Sequence, residues 1–234
     1  MPLDSDLVVI EETSGVPRVV LSRPGKRNAI SEDMYVQACR QLGALEERGV
    51  RVAVLAAAGP VFCAGADLAE LDSGFNAPVE LAERLRRSPT FWIAQVHGGV
   101  LGAGIALVTG CHAALGDADA WFCLPELGHG FYPEPVIDWI AGQGVGRRWL
   151  HGLAVTSRRV TAAEALANGV LSGVAPEGRP LADEVDGLAA RLQAAWPSLR
   201  PLLTPAPERI HTPDAEGNRT HDRDRGEANA ARLP

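Results

Sequence analysis

A glycine-rich turn at residues 97–104 constrains the fold of this chain more than any other stretch. It follows a run at residues 91–96 that is rich in aromatic and β-branched residues, a pattern that predicts a strand. It leads into an apolar segment that continues to Val108 and is compatible with a helix over 102–109. A strand, a small-residue turn and a helix start leave backbone N–H groups free to meet an anion.

An earlier stretch repeats this layout. Residues 51–55 form a strand-like run that is apolar after Arg51, and Gly59-Pro60 marks a turn. Residues 63–68 are mostly small and lead to a helical piece. Two such turns together can direct two N–H donors at one developing oxyanion. A single turn of this kind more often serves close packing, so neither stretch is decisive by itself.

The rest of the chain gives clear boundaries for several elements. Strands are predicted over 7–10, 18–21 and 50–56, and helices from Ser31, from Pro78 and over 181–196. Ser31 is a predicted N-cap, and Thr161 with Glu164 predicts a capping box. We predict one domain over 1–204, with its core at about 7–155 and a helical C-terminal part at about 156–204. Residues 205–234 are polar and predict a disordered tail.

Charge and cysteine usage exclude several classes of protein. The net charge is −7, which argues against a nucleic-acid-binding surface. No apolar run is long enough to span a bilayer, and the N-terminus lacks a signal-peptide pattern. The cysteines lie far apart without metal-ligand spacing, which favours a reduced compartment. We expect a cytoplasmic protein with no metal and no membrane partner. The cysteines are Cys39, Cys63, Cys111 and Cys123.

Several stretches together resemble the crotonase family, the enoyl-CoA hydratase/isomerase superfamily. They occur in the family's order, at its approximate spacing, and cover roughly residues 7–200. The conjunction is specific although each piece alone is not. The stretches are Leu21-Ser22-Arg23-Pro24 with Asn28-Ala29, residues 62–68, residues 97–104, residues 122–126 with Gly130 and Pro133, and residues 161–165 with Gly169-Val170.

The resemblance implies an α/β fold, a spiral of ββα repeats with two roughly perpendicular sheets. It also implies a helical C-terminal region that forms trimers, often paired as a dimer of trimers. The substrate would be an acyl-CoA, or an acyl group on a carrier protein, with no cofactor beyond coenzyme A. By motif matching, the backbone N–H groups of Ala66 and Ala103 would form the oxyanion hole for the thioester. The other predicted substrate-binding residues are Lys26, Ala29, Ala64, Gly65, Asp67, Leu68, Gly102, Ala106, Pro125 and Gly130.

The resemblance also indicates which acids are present. Hydratases of the family use two glutamates, and the first of these positions is occupied here by Ala106, which cannot transfer a proton. The second position holds Glu126, directly after the proline of the Pro-Glu motif. One carboxylate can still move a proton between two carbons of a stabilised enolate, so isomerisation is favoured.

Other chemistries stay open at this stage. Glu134 matches the position of an aspartate in members that isomerise dienoyl-CoA or hydrolyse hydroxyacyl-CoA, so it is a candidate partner of Glu126; it can equally be a solvated loop residue. His129 and Tyr132 on the same loop are weaker candidates. Hydration, decarboxylation and thioester hydrolysis remain alternatives. A non-catalytic protein with the same fold is the competing class.

Overall fold

The computed structural model describes residues 7–73 and 76–203. The strands are β1 Val8–Thr13, β2 Val16–Leu21, β3 Val52–Ala57, β4 Val61–Cys63, β5 Phe91–Val96, β6 Gly99–Leu101, β7 Ala113–Gly116, β8 Trp121–Cys123, β9 Val160–Thr161 and β10 Gly173–Val174. The helices are α1 Glu32–Glu47, α2 Ala77–Arg86, α3 Gly104–Gly110, α4 Glu134–Gly142, α5 Arg147–Thr156, α6 Ala162–Ala167, α7 Leu181–Ala194 and α8 Trp196–Leu203. Short 3-10 turns lie at Pro24–Lys26, Leu68–Ser73 and Glu126–His129.

A six-stranded sheet forms the centre of the fold, in the order β1-β2-β3-β5-β7-β10. The first pair is antiparallel, and every later pair is parallel. Strand β3 is almost continuously apolar and buried, as expected for a parallel strand that is covered on both faces. Alternate residues of the strands therefore point into two separate cores.

Each face of this sheet packs against its own helices. On one face Val19, Leu55 and Trp92 join the larger core, which includes the apolar stripe of α1. On the other face Val54 and Ile93 join a smaller core with α7. Helix α1 buries the predicted positions because Met34, Ala38, Leu42 and Leu45 recur at helical spacing.

A second sheet has four short strands in the order β4-β6-β8-β9. The sequence analysis missed β4, β6 and β9, each of two or three residues. The predicted helix over 102–109 begins later, at Gly104, because Gly102 has a φ of +54° and its amide donates to the Cys123 carbonyl of β8 at 2.9 Å. The strands before and after the turn at 117–119 do not pair with each other, since β7 belongs to the first sheet and β8 to the second.

Both predicted helix starts have the expected caps. The Ser31 hydroxyl accepts a hydrogen bond from the Met34 amide at 3.3 Å. At α6 the Thr161 side chain accepts from the Glu164 amide, and the Glu164 carboxylate accepts from the Thr161 amide. No helix among the described residues is long and apolar enough to cross a bilayer. The predicted tail over 205–234 lies outside the described residues, and the predicted domain boundary stays a prediction.

Candidate active site

A cavity of about 760 Å³ opens where four loop segments meet. These segments come from before α1, from after β4, from the turn between β6 and α3, and from after β8. Most of the residues that the sequence analysis assigned to substrate binding line this cavity. They are Lys26, Ala29, Ala64, Gly65, Asp67, Leu68, Gly102 and Pro125, together with the predicted donors Ala66 and Ala103.

The first predicted donor, the N–H of Ala66, faces away from its neighbouring strand segment. Ile30 and Ala66 form an isolated parallel bridge. In this bridge the Ile30 amide donates to the Gly65 carbonyl at 2.8 Å, and the Asp67 amide donates to the Ile30 carbonyl at 3.0 Å. Because peptide groups alternate in direction along an extended chain, the Ala66 N–H points to the opposite side. It donates to no acceptor in residues 7–73 or 76–203.

The second predicted donor, Ala103, stands at the start of α3. The helix begins with hydrogen bonds from the Ile105 amide to Gly102 and from the Ala106 amide to Ala103. The N–H of Ala103 itself has no acceptor in the described part of the chain, as expected for the first turn of a helix.

Gly65 brings the two turns into contact. Its φ is +90°, and a Cβ there would lie 3.2 Å from the Ala103 nitrogen and 3.0 Å from the Leu101 carbonyl oxygen. A side chain would therefore separate the two backbone segments. The unpartnered N–H groups of Ala66 and Ala103 lie on adjoining segments of one cavity wall, as an oxyanion hole requires.

Glu126 places a carboxyl group directly against the turn that carries Ala103. A Cβ on Gly102, whose φ is +54°, would lie only 2.5 Å from Oε1 of Glu126, so the carboxyl rests against the bare glycine backbone. Glu126 is 7% exposed, and its Oε2 has no hydrogen-bond partner among the described residues. Burial raises the pKa of Glu126 from 4.5 to about 7. A carboxyl with this pKa can both give and take a proton near neutral pH.

Asp67 is the other carboxylate on the cavity wall, and it is already engaged. It pairs with Arg23 at 2.5 Å and accepts a hydrogen bond from the Ala69 amide at 3.1 Å. The hydrogen bond from Arg23 is the main reason that the pKa of Asp67 is lowered. Asp67 therefore caps the 3-10 turn at 68–73 and anchors the loop before α1.

Three residues that the sequence assigned to the site are absent from the cavity lining. Glu134 is exposed at the first position of α4, between two prolines that do line the cavity. Ala106 is fully buried in α3 and packs into the larger core. Gly130, with φ +85°, only ends the 3-10 turn after Glu126. The predicted pairing of Glu126 with Glu134 therefore stays a prediction.

Asn28 holds in place the loop that carries Lys26 at the edge of the cavity. Its side chain accepts from the Arg23 amide and donates to the carbonyls of Ala58 and Val61, each at 2.8 Å. These bonds satisfy a fully buried amide and fix the loop that carries Lys26. Lys26 lines the cavity, which suits the phosphate groups of a bound CoA.

The sequence analysis missed a contact between the cavity lining and helix α5. Tyr132, which lines the cavity, is hydrogen-bonded through its hydroxyl to Nδ1 of His151 on α5. No local pattern joins two residues 19 positions apart on a loop and a later helix. Among the described residues, no group of three or more His, Cys, Asp or Glu side chains is arranged to hold a metal ion.

Comparison with known proteins agrees with this geometry. A family model described as enoyl-CoA hydratase/isomerase matches residues 11–222. The zebrafish (Danio rerio) enoyl-CoA hydratase domain-containing protein 3, mitochondrial, is 32% identical over 212 residues, 86% of this chain and 71% of that protein. The human (Homo sapiens) Delta(3,5)-Delta(2,4)-dienoyl-CoA isomerase, mitochondrial, is 29% identical over 203 residues, 78% of this chain and 62% of that protein. The predicted cytoplasmic location stays a prediction.

A solved enoyl-CoA hydratase of Mycobacterium smegmatis superposes with a TM-score of 0.75 at 30% identity, covering 85% of this chain and 82% of that one. This likeness confirms the predicted crotonase-like α/β architecture. The chain belongs to the enoyl-CoA hydratase/isomerase family of the crotonase superfamily, as its motifs predict.

Proposed function

We propose that this protein isomerises a carbon–carbon double bond in an acyl-CoA thioester, with Glu126 as the acid and base. One observation carries the proposal. Glu126 is a buried carboxyl with a pKa near 7, and it rests against Gly102 beside the free N–H of Ala103. A proton acceptor and an oxyanion donor are the two groups needed to form an enolate from a thioester.

The role of the oxyanion hole follows from the two free donors. The thioester carbonyl oxygen would accept hydrogen bonds from Ala66 and Ala103, and these bonds strengthen as negative charge moves onto that oxygen. One such donor typically contributes about 10²–10³ in rate. The proposal needs no cofactor beyond the CoA moiety of the substrate. A carrier-protein thioester would present the same carbonyl, so the oxyanion hole alone does not distinguish an acyl-CoA from an acyl carrier protein.

Ala106 favours isomerisation over hydration. The resemblance to hydratases calls for a glutamate at this position to act on water, and the alanine found there is sealed in the core. The remaining cavity carboxylate, Asp67, is held by Arg23. Glu126 can remove or return a proton at carbon, and such transfers change the position of the double bond without adding water.

Replacing Glu126 with glutamine tests the proposal. E126Q keeps the size of the side chain but cannot exchange a proton, so we expect isomerisation of 3-enoyl-CoA substrates to fall by about 10²–10⁴-fold. E134Q is the companion variant, and because Glu134 lies outside the cavity lining we expect it to keep the parent rate. In the direction where the Glu126 carboxylate removes the proton, kcat/KM of the parent should fall below about pH 7, where the carboxyl becomes protonated.

The mass of the product separates the competing functions. Isomerisation leaves the acyl mass unchanged, hydration adds one water, and decarboxylation or hydrolysis removes carbon dioxide or frees the acid. An inactive parent across a panel of enoyl- and dienoyl-CoAs would point to a non-catalytic protein. An active parent whose E126Q variant keeps the full rate would refute the assignment of Glu126.

A further inference from the structure

A tyrosine–histidine pair stands at the edge of the cavity. The hydroxyl of Tyr132 is hydrogen-bonded to Nδ1 of His151, and the two rings are nearly parallel, with planes 12° apart and centroids 6.0 Å apart. Tyr132 lines the cavity, whereas His151 is absent from the lining. His151 is therefore connected to the cavity lining through its hydrogen bond with Tyr132.

The backbone ties this pair to Glu126. The Phe131 amide donates to the Glu126 carbonyl at 3.3 Å, and the Glu134 amide donates to the Tyr132 carbonyl at 3.0 Å. These bonds fix the short segment between the 3-10 turn and α4. Tyr132 and Glu126 consequently line the same cavity from one continuous segment. The Glu126 carboxyl lies at the start of this segment and the Tyr132 phenol near its end.

We propose that Tyr132 is a second proton-transferring residue of this cavity and that His151 is the group that exchanges a proton with it. The inference rests on the proposed function. A single carboxyl serves both carbons of an isomerisation only when both lie within its reach, and a second group removes that restriction. A phenol hydrogen-bonded to a neutral imidazole can accept a proton from carbon because the imidazole takes the phenolic proton in the same step.

The proton balance closes over one turnover. In one direction the carboxylic acid of Glu126 protonates one carbon of the enolate system and becomes a carboxylate. The Tyr132 oxygen removes a proton from the other carbon while its own proton passes to Nδ1 of His151, which becomes an imidazolium. Transfer of one proton through solvent from His151 to Glu126 restores the starting state. The reverse reaction uses the same groups in the opposite roles, and no bond other than those to hydrogen forms or breaks at the protein.

Y132F tests the proposal because it keeps the ring and removes only the hydroxyl. The assays are isomerisation of enoyl-CoA substrates and, separately, exchange of the proton next to the thioester carbonyl with D₂O. We expect Y132F to lower isomerisation by about 10²-fold and to leave the Glu126-dependent exchange within about twofold of the parent. Y35F is the matched control: it makes the same change at the chain's other tyrosine, which lies on α1 away from the cavity lining.

A double-variant cycle tests the role of His151 as a positioning and proton-exchanging residue. H151L should reproduce the Y132F result. The isomerisation rate of the combined variant should fall no further than that of either single variant, because both changes remove the same proton-transfer pair. H151N replaces H151L where the leucine variant fails to fold, as judged by circular dichroism. Its amide cannot take up the phenolic proton, so the expected loss is the same.

Three results would overturn the inference. They are a Y132F variant with the parent rate, a Y132F variant that loses exchange together with isomerisation, and losses that multiply in the double variant. An active parent with an unaffected Y132F removes only this inference and leaves Glu126 in place. A parent that shows neither isomerisation nor exchange removes the proposed function and this inference together.

Discussion

At the scale of single residues, the position of the Glu126 carboxyl depends on the missing side chain of Gly102. Two constraints meet at this glycine: a φ of +54° and an Oε1 atom 2.5 Å from where a Cβ would stand. An L-residue is strained at this φ, and its methyl group would occupy the place of the carboxyl oxygen. The glycine thus leaves room for the Glu126 carboxyl, in addition to shaping the turn.

Substitution of Gly102 by alanine should accordingly affect chemistry more than folding. We expect G102A to lower kcat by about 10²-fold, the usual contribution of a displaced acid–base group. The unfolding free energy should fall by about 1–3 kcal/mol from backbone strain. Steady-state kinetics and urea denaturation measure the two effects.

Gly128 provides the control for this substitution. It lies in the 3-10 turn that carries Glu126, and no heavy atom lies within 4 Å of a Cβ built on it. G128A should therefore retain the parent kcat. A G102A variant that also kept the parent kcat would show that the carboxyl does not depend on the glycine.

At the scale of elements, α7 is attached to the outer face of the six-stranded sheet by an ion pair as well as by apolar packing. Arg18 of β2 is only 5% exposed, and its guanidinium pairs with Asp186 of α7. It also donates to the Thr13 carbonyl at 3.1 Å, and the Ser14 hydroxyl donates to Asp186 at 2.8 Å. Removing the carboxylate would leave a buried charge without its partner, which is more costly than losing a surface ion pair.

We therefore expect D186A to lower the unfolding free energy by about 3 kcal/mol. D183A is the matched control, because Asp183 is exposed in the first turn of the same helix. Its loss should stay below about 1 kcal/mol, the size of a helix-dipole contribution. Equal losses in urea denaturation would mean that the buried Arg18 does not need Asp186.

The elements also show where sequence patterns stop being informative. Strand β5 follows its prediction closely because it is a mostly apolar, mostly buried run of six residues, and helix α1 does so because its buried stripe extends over 16 residues. Strands β4, β6 and β9 were missed because two or three residues cannot display a period. The turn at 117–119 resembles a hairpin locally, yet the strands on either side of it belong to different sheets. Sheet membership is decided by long-range pairing, which no local pattern contains.

At the scale of the whole molecule, the cavity joins segments that are distant in the sequence. Ala66, Ala103 and Glu126 were predicted because each lies in a motif of the family, and all three line one cavity. The contact between Tyr132 and His151 was not predicted, since it depends on how α5 packs against the segment after β8. Glu134 lies exposed at the first position of α4 and outside the cavity lining, so the paired role expected of it stays a prediction.

The C-terminal residues give the last prediction at this scale. The described elements that build the cavity end before residue 204, whereas the family match extends to residue 222. Residues 210–234 contain few apolar side chains able to pack against a neighbour. We propose that the protein is a trimer or a dimer of trimers and that these residues do not contribute to the assembly. Deleting 210–234 should leave the number of chains in the assembly unchanged, with each chain lighter by the deleted residues.

Sedimentation equilibrium measures this directly against a chain mass of 24.7 kDa. Deletion of 223–234, which lies beyond the family match, is the matched control, because it removes polar chain without touching the matched segment. If both truncated proteins keep the parent's number of chains, the assembly depends on residues before 210. If only the longer deletion dissociates to monomers, residues 210–222 take part in subunit contacts, and the predicted tail would have to begin after the family match.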